Sequence, residues 1–269
     1  MILARTVKIS VKRACELLKL PRASFYRSAK SFAAHPKAQE IEELAGKHPT
    51  FGYRRLACFC GLSQKQTRNL MSALGLMAKS TKRKPRAPSL NPEDAKNLCK
   101  KVETTGEILA SDFTYIPLFR GYGFFAVTLD LCSRRIRGWA MKRHMETSLV
   151  AESLEMSIAS GELSPDWIHH SDRGSQYVSH EFRALVQENS GRSSYSKPGT
   201  PGDNAYVESF FGRFKNEEIH TEEIYSFEQA YNLVERYVEF YNNERPHSSL
   251  GYLTPISYER NLKKGQIQS

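Results

Sequence analysis

The run Ile108-Leu109-Ala110-Ser111-Asp112-Phe113-Thr114-Tyr115-Ile116 has the composition of a buried strand, yet it carries one ionisable residue near its middle. A carboxylate inside an apolar strand is costly to bury unless something cationic neutralises it. A second carboxylate, Asp172, closes the short apolar run Trp167-Ile168-His169-His170, and a third, Glu208, lies one turn into a helical segment; 35 residues separate the last two. Taken singly, Glu208 reads as a surface glutamate and Asp112 as a strand-end cap. Taken together, three carboxylates so placed make an all-oxygen site suited to divalent ions.

The pattern around them is that of an α/β domain. Ile108–Leu118, Tyr122–Leu131 and Arg137–Met145 alternate as strands, the first two joined by the tight Phe119-Arg120-Gly121 connection, so an antiparallel meander is predicted. A helix over about 148–160, a fourth strand at 167–170, a helix over 181–188 and a fifth strand at 192–196 follow. The loop Lys197-Pro198-Gly199-Thr200-Pro201-Gly202 precedes Asp203, placed to cap the helix that carries Glu208. On that helix Val207, Phe211 and Phe214 turn inward, while Asn204, Glu208, Gly212 and Lys215 share a polar face. Three antiparallel strands followed by alternating helices and strands is the order of a ribonuclease-H-like core. A last amphipathic helix spans 227–241, and the segment Tyr241 to Pro255 reads as irregular and polar.

Charge divides the chain. Of its 269 residues, 1–101 hold 22 Lys+Arg against 6 Asp+Glu, and 102–269 hold 17 against 23. A basic front and an acidic back suggest a polyanion-binding module joined to a metal-binding one, although a merely solvated basic surface has the same composition. The front contains helical patterns at 10–18 and from about Ala23, an outline shared by a helix-turn-helix and by an ordinary helical hairpin. Further helices are predicted at 38–47, at 53–60 up to Gly61, and from the N-cap Ser63 to Gly75. The last exposes Lys65 and Arg68 and is the better recognition-helix candidate. The stretch from Lys79 to Pro88, with Lys82, Arg83 and Lys84, is too charged and proline-rich to pack and reads as a linker.

The five cysteines are scattered and form no Cys-x-x-Cys pair, which argues for free thiols and against a disulfide framework or a structural zinc. No apolar run reaches the roughly 18 to 20 residues of a membrane span, and no signal pattern opens the chain, so a cytoplasmic, nucleoid-associated protein without a membrane partner is expected.

Asp112-Phe-Thr-Tyr-Ile, His170-Ser-Asp-Arg-Gly-Ser-Gln-Tyr and Asp203-Asn-Ala-Tyr-Val-Glu-Ser-Phe-Phe resemble the three blocks of the DD(35)E insertion-sequence transposases, in the integrase-core superfamily shared with retroviral integrases. The block Phe51-Gly-Tyr-Arg-Arg-Leu and the segment Tyr241 to Pro255 resemble the second-frame (OrfB) catalytic subunit of the IS-three group. The resemblance implies DNA cleavage and strand transfer with two Mg²⁺ ions, Mn²⁺ substituting, held by Asp112, Asp172 and Glu208. Asp112 would bridge both ions, and Asp172 and Glu208 would each complete one. It implies DNA as partner, both the element's terminal inverted repeats and the target, a homo-oligomer assembled on that DNA, and an upstream-frame (OrfA) product as a further partner. DNA-contact candidates are Arg54, Arg55, Lys65, Arg68, Lys82, Arg83, Lys84, Arg173, Arg213 and Lys215.

The organisation expected is a helix-turn-helix-like DNA-binding segment over 1–34, a second helical DNA-binding domain over 35–78, a basic linker over 79–101, the catalytic core over 102–225, and a C-terminal helix and tail packing on it over 226–269. Asp130 reads as a turn residue rather than a ligand, with its replacement by Asn expected to matter little. His169 and His170 read as strand-end or substrate-orienting residues. Two other functions fit the pattern: a nuclease of the same fold that cuts without joining, and a DNA-binding repressor with an idle core.

Overall fold

The computed structural model describes residues 11–17, 35–79, 105–161, 163–196, 204–220 and 223–265. They belong to two compact units, Met1–Ser80 and Thr81–Ser269. The helix expected from Ala23, the linker residues Lys82, Arg83 and Lys84, and Asp203 lie outside the described residues.

The first unit consists of helices α1 (Val11–Leu17), α2 (Ala38–Lys47), α3 (Tyr53–Cys60) and α4 (Gln64–Ala73). Its core is small: Ile41, Leu56 and Leu70 are fully buried, with Phe51 and Met71 beside them. The chain leaves α3 through Gly61 at φ 64°, a left-handed conformation that costs glycine little. It enters α4 through a reciprocal capping box, in which Ser63 accepts from the Gln66 N–H and Gln66 accepts from the Ser63 N–H. Sequence signals and structure agree at both ends of α4 because these caps are local.

The second unit is a five-stranded sheet in the order β3-β2-β1-β4-β5, with β1 Ile108–Pro117, β2 Tyr122–Asp130, β3 Ile136–Lys142, β4 Ile168–Ser171 and β5 Arg192–Tyr195. The first three strands pair antiparallel and the last two run parallel to β1. Helix α5 (Thr147–Ala159) supplies the crossover that a parallel strand needs, and α6 (Ser175–Val178) and α7 (His180–Glu188) link β4 to β5. Strand alternation sends residues to two cores. Ala110, Ile116, Phe125 and Val127 meet α8 (Ala205–Phe214) and α9 (Phe227–Asn243), whereas Leu109, Ala126 and Ala140 meet α5, α6 and α7.

Phe125 is the centre of the first core, with Phe210, Phe211 and Phe214 set edge-on around it at centroid distances of 5.2–6.2 Å. Each such fully buried ring stabilises by roughly 1.5–3 kcal/mol, enough to fix the rotation of α8 about its axis. That rotation decides where Glu208 points.

The segment after α9 is largely irregular up to Thr254, as expected, and carries more structure beyond it. It holds a short 3-10 turn at Ser248–Leu250 and a helix, α10 (Pro255–Lys263), and its polar residues Arg245, His247 and Glu259 are buried. Glu259 accepts from Ser133, Arg135 and Arg137, tying α10 to the turn between β2 and β3. The buried charges Arg245 and Glu259 each have a buried counter-charge from a distant part of the chain, Glu217 and Arg137.

Candidate catalytic carboxylate site

Asp112 sits where β1 outlives its partner. Strand β4 pairs with β1 only as far as Ala110 opposite His170, and β4 itself ends at Ser171. Carrying that register two residues on sets Asp172, the first residue beyond β4, level with Asp112 on the neighbouring strand, at the roughly 4.8 Å spacing of adjacent strands. Asp112 lies on the same strand face as Ala110 and Ile116, the face covered by α8.

Helix α8 brings the third carboxylate. Asn204, its N-cap, makes no side-chain capping bond, although a capping role had been assigned to its neighbour Asp203. The buried Asn204 instead donates its Nδ2 to the Ser111 carbonyl at 3.2 Å, fastening the start of α8 to β1 one residue before Asp112. Glu208 follows one turn later.

The charges act on one another. Burial raises the Asp112 carboxyl to about 7; the Phe113 N–H bonded to it pulls the other way, the charges of Asp172 and Glu208 raise it, and that of Lys215 lowers it. Burial also raises Glu208 and lowers Lys215, the latter partly offset by Asp112. One oxygen of each aspartate is held by a neighbouring main-chain N–H: Asp112 Oδ1 accepts from the Phe113 N–H at 2.8 Å and Asp172 Oδ1 from the Gly174 N–H at 2.9 Å. Among the described residues no three His, Cys, Asp or Glu side chains are already arranged to hold a metal ion. Asp172 and Glu208 are exposed side chains, whereas Asp112 is half-buried.

Beneath the carboxylates lies Tyr177, fully buried against Phe113, His169 and Phe182, with no hydrogen-bond partner for its hydroxyl among the described residues. Its hydroxyl is pushed well above its usual range by burial and by the charges of Asp112 and Asp172, so it stays protonated.

The structure revises the readings of the neighbouring polar residues. His169 and His170 are interior rather than strand-end: His169 Nε2 is 2.9 Å from Ser111 Oγ, and His170 is held by Ser194 and Ser196. Burial lowers His169 to about 3, so it is neutral. Asp130 ends β2 at the turn, as read, and is fully buried there: it pairs with Arg137 at 2.9 Å and accepts from the backbone N–H groups of Gly106, Cys132 and Ser133.

Of the DNA-contact candidates, Arg173 is exposed and donates Nε to the Ser196 carbonyl, and Arg213 is half-buried with its charge acting on Tyr241. Lys215 follows α8 in a π-helical turn, Lys215–Ile219, and holds its ammonium 4.9 Å from the Tyr115 ring centroid. In the first unit Lys65 and Arg68 are exposed on α4; on α3 Arg54 is exposed and Arg55 lies over the Phe51 ring. Sequence reading missed Asn204 as the link to Ser111, Tyr177, and the Glu217–Arg245 pair behind Lys215. Asn204, Tyr177 and Arg245 each stand inside a block that carries the family resemblance, which marks the residue but not its partner.

Two family descriptions match, both reading "Integrase core domain", over residues 103–201 and 190–255. The chain is 32% identical over 202 residues to the transposase for insertion sequence element IS904 of Lactococcus lactis, covering 73% of this chain and 80% of that protein. It is 38% identical over 151 residues to transposase InsF for insertion sequence IS3A of Escherichia coli, covering 56% of this chain and 52% of that one. In fold it is similar to a chain of the simian T-cell lymphotropic virus intasome bound to the PP2A regulatory subunit B56 gamma, with TM-score 0.52, 16% identity and coverage of 77% and 74%. No helix among the described residues is long and apolar enough to cross a membrane. The carboxylates in the middle of β1, just beyond β4 and in the first turn of α8 thus sit on a retroviral-integrase-like sheet, and the chain belongs to the IS3 family of insertion-sequence transposases, polynucleotidyl transferases with an integrase core.

Proposed function

We propose that this chain cuts DNA at the terminal inverted repeats of its insertion sequence and joins the freed 3′ ends to target DNA, with Asp112, Asp172 and Glu208 holding two Mg²⁺ ions. The observation that carries the reading is Asp112: a carboxyl raised to about 7 by burial and by two nearby carboxylates is a group whose charge wants a cation. The donor set fits, being all carboxylate oxygen, which hard ions prefer and Mn²⁺ accepts equally. When bound, the ions activate the attacking water or 3′-OH and stabilise the departing oxygen of the scissile phosphate.

The chain's own residues set the stage. Phe113 and Gly174 N–H groups fix one oxygen of each aspartate and leave the other facing the site. Asn204 keeps the Glu208 helix against β1. Glu208 and Asp172, exposed at element ends, swing into the ligand positions with little cost in packing. Lys215 offsets the carboxylate charge and offers its ammonium to a phosphate. No protein nucleophile is required.

In the first unit, exposed Lys65 and Arg68 on α4 read the terminal repeats and Arg54 and Arg55 steady the backbone, while Lys82, Arg83 and Lys84 of the linker track phosphates. Pairing two ends calls for a homo-oligomer on DNA, with an upstream-frame product as an additional partner, at the nucleoid of a bacterial cytoplasm. The test is gel-resolved cleavage and strand transfer of the element's own ends in Mg²⁺. Asp112→Asn, Asp172→Asn and Glu208→Gln should each nearly abolish both steps while DNA binding persists. An active Glu208→Gln chain would overturn the assignment; cleavage without joining by the wild type would favour a nuclease.

A further inference from the structure

Four large aromatic side chains that a folded chain would ordinarily bury stand exposed together at one end of the β1–β2 hairpin. Tyr115 is 55% exposed, Phe119 71%, Tyr122 57% and Tyr225 61%. Tyr115 and Tyr122 meet edge-on at 5.3 Å, and Phe119 and Tyr225 at 5.8 Å, the latter pair brought together by the Phe119 N–H donating to the Ile224 carbonyl. An exposed aromatic cluster of this kind marks a binding surface.

Its position and charge identify the occupant. Tyr115 is three residues beyond Asp112 on β1, about 10 Å along the strand, and alternation turns its ring to the other face, so the two communicate around the edge of β1 that β4 leaves unpaired beyond Ala110. Lys215 connects the two, its ammonium 4.9 Å from the Tyr115 ring centroid and its charge acting on Asp112. A flat π-face flanked by a cation that also acts on the carboxylate site suits a nucleobase, whose ring stacks while its backbone phosphate meets the lysine. A second copy of this chain would bring its own version of the same cation and aromatics, with no complementary charge.

We infer that the Tyr115–Tyr122 pair is a stacking platform for one unpaired base of the DNA end, within about three nucleotides of the scissile phosphate at roughly 3.4 Å per step. The inference rests on the proposed carboxylate site, since it takes its distance from Asp112. Unpairing a base there would hold the end frayed and let the reacting strand separate from its complement.

The test uses the full chain and element-end duplexes carrying 5-iodouracil at each of the four positions on either side of the cleavage point, on both strands. Long-wavelength irradiation joins this base to an aromatic ring stacked on it. A crosslink mapping to Tyr115 or Tyr122 is expected at a single position within three nucleotides. It should vanish in Tyr115→Leu and return in Tyr115→Phe, which keeps the ring. Affinity for the end duplex should fall about tenfold in Tyr115→Leu and in Tyr122→Leu, and recover when the target base is pre-unpaired by a mismatch only if the ring is present. Tyr122→Leu guards against an effect that acts only through Lys215. A chain that cleaves these duplexes but crosslinks nowhere to either tyrosine would overturn the platform and leave the carboxylate reading intact. A chain that crosslinks as expected while Asp112→Asn still cleaves would do the reverse. Loss of self-association in Tyr115→Leu, with no crosslink in the wild type, would assign the patch to a second copy and overturn the inference.

Discussion

The side chain of Asn204 donates to the main-chain carbonyl of Ser111 at 3.2 Å, so the helix bearing Glu208 is pinned to the strand bearing Asp112 by a bond adjacent to both. The bond is buried, and losing a buried hydrogen bond costs roughly 1–3 kcal/mol. Asn204→Ala should therefore lower stability by about that amount. Single-turnover cleavage should fall further than the unfolded fraction accounts for, because Glu208 loses its fixed distance from Asp112. Thermal melts beside cleavage rates on the same preparation separate the two; a rate loss that merely tracks stability would reduce Asn204 to a packing residue.

Behind Lys215, Arg245 grips Glu217 with Nε on Oε2 at 2.8 Å, and the Tyr237 hydroxyl donates to the same carboxylate at 3.0 Å. Arg245 and Glu217 side chains are almost wholly buried. Arg245→Ala leaves Glu217 without its counter-charge, which typically costs 3–5 kcal/mol, roughly. The double variant Arg245→Met with Glu217→Leu should recover much of that loss. Urea unfolding of the three chains decides the matter, and an Arg245→Ala chain as stable as wild type would mean that Glu217 finds another partner.

The pH response of the metal-free chain should carry the signature of Asp112. Its folded carboxyl titrates near 7 against an ordinary 3.8, so the folded state holds a proton between those values that the unfolded chain has released. The stability this group contributes is complete below the unfolded value, declines as pH rises through the window and is gone above about 7. Melting temperatures of wild type minus Asp112→Asn, followed from pH 4 to 8, should thus become steadily more negative and then level. Adding Mg²⁺ at pH 8 should narrow the gap, since an ion replaces the proton. A difference independent of pH would mean that Asp112 titrates normally.

Asp130→Asn should damage the fold rather than the chemistry. The substitution keeps the acceptor oxygen for some of the Gly106, Cys132 and Ser133 N–H groups but removes the charge opposite buried Arg137, which Glu259 then shares alone. A loss of roughly 3–5 kcal/mol is expected, with normal cleavage per folded molecule at low temperature. Circular dichroism melts with activity at 15 and 37 °C would reveal it; a stable, inactive variant would give Asp130 a part in the chemistry instead.

How much of this was legible before folding depends on how far each signal reaches along the chain. The strand alternation around Asp112, the capping box at Ser63 and Gln66, and the Gly61 stop are local patterns, and the elements they predict are present. The three carboxylates stood out because an ionised group in an apolar run, or on an otherwise inward-turning helix, conflicts with its own neighbours in sequence. What the chain order could not disclose were the long-range pairings. The bond from Asn204 to Ser111 spans 93 residues, and that from Glu259 to Ser133 spans 126. Composition reports polarity, not partners; tertiary folding alone supplied Arg245 with Glu217 and Glu259 with Arg137. Asp130 and Asp112 are both aspartates in adjoining strands, and sequence sets them apart poorly. Their difference is physical: Asp130 is buried beside a guanidinium and three N–H donors, whereas Asp112 is held among like charges, and that contrast of surroundings exists only once β1, β4 and α8 have met.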